Sequence, residues 1–202
     1  EANDFKATVE QLEAARTEKT KLILLNSPSN PTGMIYSREE LEAIGAWALE
    51  HDILILADDI YGRLVYNGHE FTAISSLSDA LRKQTIVVNG VSKTYAMTGW
   101  RVGFAVAEPE IIAGMAKIIS QTTSNLTAVS QYAAIEALTG DQSSIETMRQ
   151  AFEERLNTIY PLLAEIPGFE VIKPQGAFYL FPNVKKAMEM KGFTDVTDFT
   201  NA

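Results

Sequence analysis

The 202-residue sequence contains no cysteine. That excludes disulfides, thiolate metal sites and cysteine nucleophiles, and it leaves the redox compartment open. There are two histidines, His51 and His69. Neither sits near regularly spaced carboxylates, so both read as surface residues and no metal site is expected. No apolar run approaches the roughly 20 residues that cross a bilayer. The phosphate-cradling patterns G-x-x-x-x-G-K-[ST] and G-x-G-x-x-G are also missing. Positive charge is scarce: 17 Lys and Arg stand against 26 Asp and Glu, a net charge of −9. Nucleic acid and anionic membrane both repel such a chain, so neither is expected as a partner. The opening Glu1-Ala2-Asn3-Asp4 is neither a secretory leader nor a natural start. The chain is therefore expected to be cytoplasmic and to begin inside a longer one.

What is present is the pattern of an α/β protein. Residues 21–25, 53–57, 86–88 and 103–107 are short apolar runs separated by helical stretches. Runs apolar on both faces predict a buried parallel sheet. Between the first two, Ser37 followed by Glu40 predicts a capping box. The helix behind it buries Leu41, Ile44, Trp47 and Ala48. Helices are expected over residues 7–19, 110–124, 127–138 and 143–166, with Pro161 bending the last. Two strands are expected at 169–173 and 177–181 around the turn Pro174-Gln175-Gly176. Further helical residues follow to about 190, and another helix begins at 194–200. The length suits one large domain or two small ones. The division expected is 1–160 for part of a large domain and 161–202 for the start of a small one.

Ligands of open parallel sheets bind at the carboxyl ends of the strands. Three strand exits carry polar groups there: Asn30, then Asp58 with Tyr61, then Ser92 with Lys93. Singly, each has an ordinary explanation. A lysine after a strand is usually on the surface, Asp58 could cap a helix, Asn30 could form a turn, and Tyr61 could be half-buried packing. Together they suit one ligand. A pocketed lysine attacks an aldehyde to form a Schiff base. A buried aspartate must be paired, and a protonated pyridine nitrogen would suit Asp58. Tyr61 and Asn30 can donate to a phenolate, and Arg101 can grip a phosphate bidentately. These are the groups that pyridoxal phosphate asks for. The rival pattern is weak: Gly90-Val91-Ser92-Lys93-Thr94 lacks the second glycine of a nucleophile elbow.

The run from Gly90 to Gly103, G-V-S-K-T-Y-A-M-T-G-W-R-V-G, resembles the lysine-attachment segment of class I/II pyridoxal-phosphate-dependent aminotransferases. Asn30-Pro31-Thr32-Gly33 is similar to that family's N-P-T-G turn. Asp58-Asp59-Ile60-Tyr61 is similar to its D-E-x-Y segment, with Asp59 in place of the usual glutamate. Pro174-Gln175-Gly176-Ala177-Phe178-Tyr179 is similar to its P-x-G-A-F-Y strand. Bacterial aspartate aminotransferases give the nearest likeness. The resemblance implies a three-layer α/β/α transferase fold (fold type I) with a mostly parallel sheet, here incomplete, plus the start of a small α+β domain. It implies pyridoxal 5'-phosphate as cofactor, attached by Lys93 as catalytic residue. Asn30, Asp58, Tyr61, Ser92, Lys93 and Arg101 are the cofactor-binding residues so implied.

The resemblance also implies transamination between an L-amino acid, aspartate foremost, and a 2-oxo acid, in a homodimer. The family's glycine-rich phosphate loop, its ring-stacking aromatic and its substrate-carboxylate arginine would lie outside residues 1–202, so the chain alone is expected to be inactive. The alternatives are a C–S lyase using the same cofactor and the aminotransferase-like sensor domain of a transcription regulator.

Overall fold

The computed structural model describes residues 3–202. Glu1-Ala2, where an internal start is expected, lies outside the described residues. Four strands form the sheet: β1 (Leu22–Asn26), β2 (Leu54–Asp58), β3 (Thr85–Gly90) and β4 (Gly103–Val106). They lie side by side in chain order. β1–β2 and β2–β3 are parallel, as the apolar runs predict. β4 is not: it pairs antiparallel with β3, placing Gly103 opposite Gly90. The connection explains this correction. A parallel return usually runs through a full helix packed on the sheet. Between β3 and β4 the chain has only the four-residue helix α4 (Val91–Thr94) and a three-residue 3₁₀ turn.

One face of the sheet carries the core. Helix α2 (Arg38–Glu50) starts at the Ser37–Glu40 capping box and buries Leu41, Ile44, Gly45, Trp47 and Ala48. These pack on Leu25, Ile55 and Ala57 of β1 and β2 and on Leu81 of helix α3 (Asp79–Gln84). Helix α1 (Val9–Ala15) is shorter than expected and begins at Thr8, whose side chain accepts from the Gln11 amide. Its Glu13 joins it to α2, accepting from the Trp47 indole at 2.9 Å. The opposite face is open along β1, contrary to the expectation of burial on both sides: Leu22 is 41% and Leu24 66% exposed.

The second half is helical, as expected: α5 (Pro109–Thr122), α6 (Ala128–Thr139), α7 (Ser143–Ala164), α8 (Lys185–Lys191) and α9 (Val196–Asn201). The expected domain division at residue 160 falls within α7, one residue before Pro161. No helix among the described residues is long and apolar enough to cross a membrane. The strands expected at 169–173 and 177–181 do not form. The backbone there makes only isolated bridges, Glu170 with Asn183 and Gly176 with Val65. Its polar groups are committed to loops instead. Gln175 and Gly176 donate to the Gly33 carbonyl, and Ala177 donates to the Leu64 carbonyl.

Candidate functional site

The parallel strands end together. Asn26 closes β1 opposite Asp58 at the end of β2. β3 continues to Gly90, and Lys93 follows in α4. The antiparallel turn of β4 matters here. Because Gly103 lies opposite Gly90, the residues entering β4 sit at the carboxyl edge of β3, and Arg101 is among them. Gly90 permits the close approach: a Cβ there would lie 2.7 Å from the Val102 carbonyl oxygen.

Asn26 ties the first two exits. Its side-chain amide donates to the Asp58 carbonyl at 3.2 Å, and its Oδ1 accepts from the Asn30 backbone at 2.7 Å. The Asp58 carboxylate is held by the Ile60 amide at 3.2 Å. The Tyr61 ring is buried, and its hydroxyl lies 2.6 Å from that of Tyr179. Burial pushes the Tyr61 phenol up; Tyr179 and the Asp58 charge add to this, while the Asn30 side chain opposes it. Lys93 Nζ lies 5.8 Å from the Tyr61 ring centre and 5.4 Å from that of Phe178. Neighbouring Asp59 is buried, and burial followed by the Asp58 charge pushes its carboxyl up to about 6.

These groups line two adjoining cavities. One, of about 490 Å³, is bounded by Leu24, Asn26, Asn30, Asp58, Ile60, Tyr61, Lys93 and Tyr179. The other, of about 300 Å³, is bounded by Asp58, Ile60, Val88, Asn89, Gly90, Ser92, Arg101, Val102 and Gly103. Asp58 and Ile60 belong to both, so all six site residues expected from the sequence meet in one continuous region. A third, largely apolar cavity of about 200 Å³ contains no lysine or carboxylate.

Sequence reasoning passed over three residues of this region. Tyr179 and Phe178 stand in the P-Q-G-A-F-Y segment, but nothing in their spacing says that one reaches the Tyr61 hydroxyl and the other the lysine. Asn26, four residues before Asn30, opens the same turn and acts through its amide. The remote segment is brought in by Gly33. With φ +70°, its carbonyl accepts from Gln175 and Gly176, both at 2.9 Å. Gln175 Oε1 in turn accepts from the Ile35 amide at 2.9 Å.

The donor set has a definite chemical reach. Asp58 suits a cationic or protonated ring nitrogen, the phenol and amide suit an acidic oxygen, and Ser92 with Arg101 suits an anion. The lysine amine can attack a carbonyl carbon. A volume of this order is typical of small-molecule sites.

Comparison with known proteins agrees with this chemistry. The family description "Aminotransferase class I and II" matches residues 1–198. An asparagine–oxo-acid transaminase of Streptococcus mutans is 76% identical over all of this chain and 51% of its own length. An aspartate aminotransferase of Bacillus subtilis is 54% identical over all of this chain and 51% of its own. Among solved structures, the aspartate aminotransferase of Rhizobium meliloti superposes with a TM-score of 0.88 at 40% identity, covering 92% of this chain and 47% of that one. The chain thus spans about half the length of the curated relatives it matches.

Proposed function

From the premise that this chain belongs to the class I and II aminotransferase family, we propose that it carries the cofactor site of an enzyme moving an amino group between an L-amino acid, aspartate foremost, and a 2-oxo acid. The observation that carries the reading is the meeting of Asn30, Asp58, Tyr61, Ser92, Lys93 and Arg101 around two cavities that share Asp58. The donor set fits pyridoxal 5'-phosphate group by group. Lys93 would attach the aldehyde carbon. Asp58 would face the ring nitrogen, Tyr61 and Asn30 the phenolic oxygen, and Ser92 and Arg101 the phosphate.

Bound there, the cofactor supplies an electron sink for the pair left when the substrate Cα–H bond breaks. The rest of the work falls to the chain. Asp58, fixed by the Ile60 amide at 3.2 Å, would hold a proton on the ring nitrogen. Lys93 would take the proton from the substrate Cα and return one, acting as base and then acid. Tyr61 and Asn30 hold negative charge on the phenolic oxygen. Arg101 and Ser92 would anchor the phosphate.

The assembly is proposed to be a cytoplasmic homodimer without nucleic acid or membrane partners. The net charge of −9 supports the last point. Exposed Val129, Tyr132, Ile135 and Leu138 on α6 support a further covering surface. Asparagine is a second substrate reading, favoured by the name of the 76% identical relative. The test is transamination by the protein expressed from its complete gene. Aspartate and asparagine are compared as donors to 2-oxoglutarate. Conversion of either supports the proposal and ranks the substrates. Pyruvate release from cystathionine without any oxo acid, and no transamination, would favour the lyase instead.

A further inference from the structure

Tyr179 has no part in the reaction as described, yet its hydroxyl lies 2.6 Å from that of Tyr61. The two rings meet edge to face with centres 5.8 Å apart, and Tyr179 also packs against Phe178 at 4.8 Å. Both rings are therefore held, and only the hydroxyl protons are free to turn.

A phenol oxygen has one proton to give and two lone pairs to receive. Asn30 and Tyr179 both line the cleft that holds Lys93. Only one of the two tyrosines can donate across their contact. If Tyr61 donates to Tyr179, its proton is lost to the cleft. If Tyr179 donates to Tyr61, Tyr61 accepts there and keeps its own proton to give. The Tyr61 proton is then left with the cleft as its place to go.

We propose that Tyr179 is a positioning residue whose hydroxyl donates to Tyr61, so that Tyr61 is committed to donating to an acidic oxygen in the Lys93 cleft. This rests on the reading above, in which that oxygen is the phenolic oxygen of pyridoxal phosphate. Donation in series also strengthens the last bond, because a hydroxyl that accepts a hydrogen bond becomes a better donor. The form of the bound cofactor whose phenolic oxygen carries the fuller negative charge is thereby favoured.

The experiment is a pH titration of the visible absorbance of the cofactor-loaded protein, expressed from its complete gene. Wild type, Lys93→Ala, Tyr61→Phe, Tyr179→Phe and the Tyr61→Phe/Tyr179→Phe double variant are compared. Phenylalanine keeps both ring contacts, so the packing stays. Tyr179→Phe is expected to raise the titration midpoint by roughly 0.3 to 1 pH unit, the size of one ordinary hydrogen bond. Tyr61→Phe raises it further in the same direction. The double variant titrates with Tyr61→Phe alone, because Tyr179 acts only through Tyr61; a purely structural role would add to the shift. If wild type shows a titrating band that Lys93→Ala abolishes, but Tyr179→Phe matches wild type, the inference falls and the site reading stands. The inference also falls if the double variant shifts by the sum of the single ones. If wild type shows no band that depends on Lys93, the site reading falls and takes the inference with it.

Discussion

Replacing Gly33 with alanine tests how the 174–179 segment is delivered to the site. Two costs arise. Gly33 has φ +70°, a left-handed conformation that charges an L-residue about 1 kcal/mol or somewhat more. The new Cβ would also lie 2.5 Å from Pro174 Cβ and 2.8 Å from the Gly176 carbonyl oxygen. Ordinary carbon–carbon contacts sit near 3.5–4.0 Å, so the turn must retreat by about 1 Å. That retreat strains the two hydrogen bonds from Gln175 and Gly176 to Gly33 and the one from Ile35 to Gln175, each worth about 1 kcal/mol net. The expected total is about 2–4 kcal/mol. Gly68 supplies the control: its φ is +78°, and no atom lies within 4 Å of the added Cβ. Gly68→Ala should therefore cost only about 1 kcal/mol. Urea unfolding of the two variants measures both. Cofactor affinity should fall in Gly33→Ala alone, because Tyr179 follows the displaced turn. Equal destabilisation of the two variants would refute the idea that the turns are locked together at Gly33.

Two further perturbations separate charge from shape. Asp59 has its carboxyl pushed up from 3.8 to about 6. A raised folded-state value favours the neutral acid, so this stability is complete below pH 3.8 and is lost as pH rises through about 6. Asp59→Asn escapes that loss and should gain on wild type by up to about 3 kcal/mol between acid and neutral pH, two units at 1.36 kcal/mol each. Urea midpoints on the two sides of that window check it, and a difference that does not change with pH would sink it. Asp58→Asn keeps a side-chain oxygen for the Ile60 amide but cannot carry charge. It should lower the transamination kcat by roughly 10²- to 10³-fold while leaving the visible cofactor band in place. A variant within threefold of wild type would remove Asp58 from its assigned role.

The grouping of the candidate site residues at one sheet edge was legible in the sequence, as was the α/β class; the pairing of individual strands was less so. β1, β2 and β3 were legible because buried parallel strands write themselves as apolar runs, and the residues following each run necessarily share one edge. β4 was misjudged because an apolar run has no direction. The lack of a full helix between Gly90 and Gly103 was the available sign, and the antiparallel return is what places Arg101 beside Ser92. The strands expected at 169–173 and 177–181 failed for another reason. Their patterns are strand-like, but pairing depends on a backbone alongside, and these segments give their hydrogen bonds to Gly33 and Leu64. The Tyr61–Tyr179 contact spans 118 residues, and no local pattern reports a contact of that reach. The open face around Leu22 and Leu24 was equally invisible, since an apolar residue looks the same whether or not anything covers it.

The central claim is that Lys93 is the residue that attaches pyridoxal phosphate. Borohydride reduction of the cofactor-loaded protein, followed by proteolysis and mass mapping, tests it most directly. The predicted result is a single phosphopyridoxyl adduct, on the peptide containing Lys93 and absent from Lys93→Ala. An adduct on any other lysine of the wild-type protein, or none at all, would contradict the account.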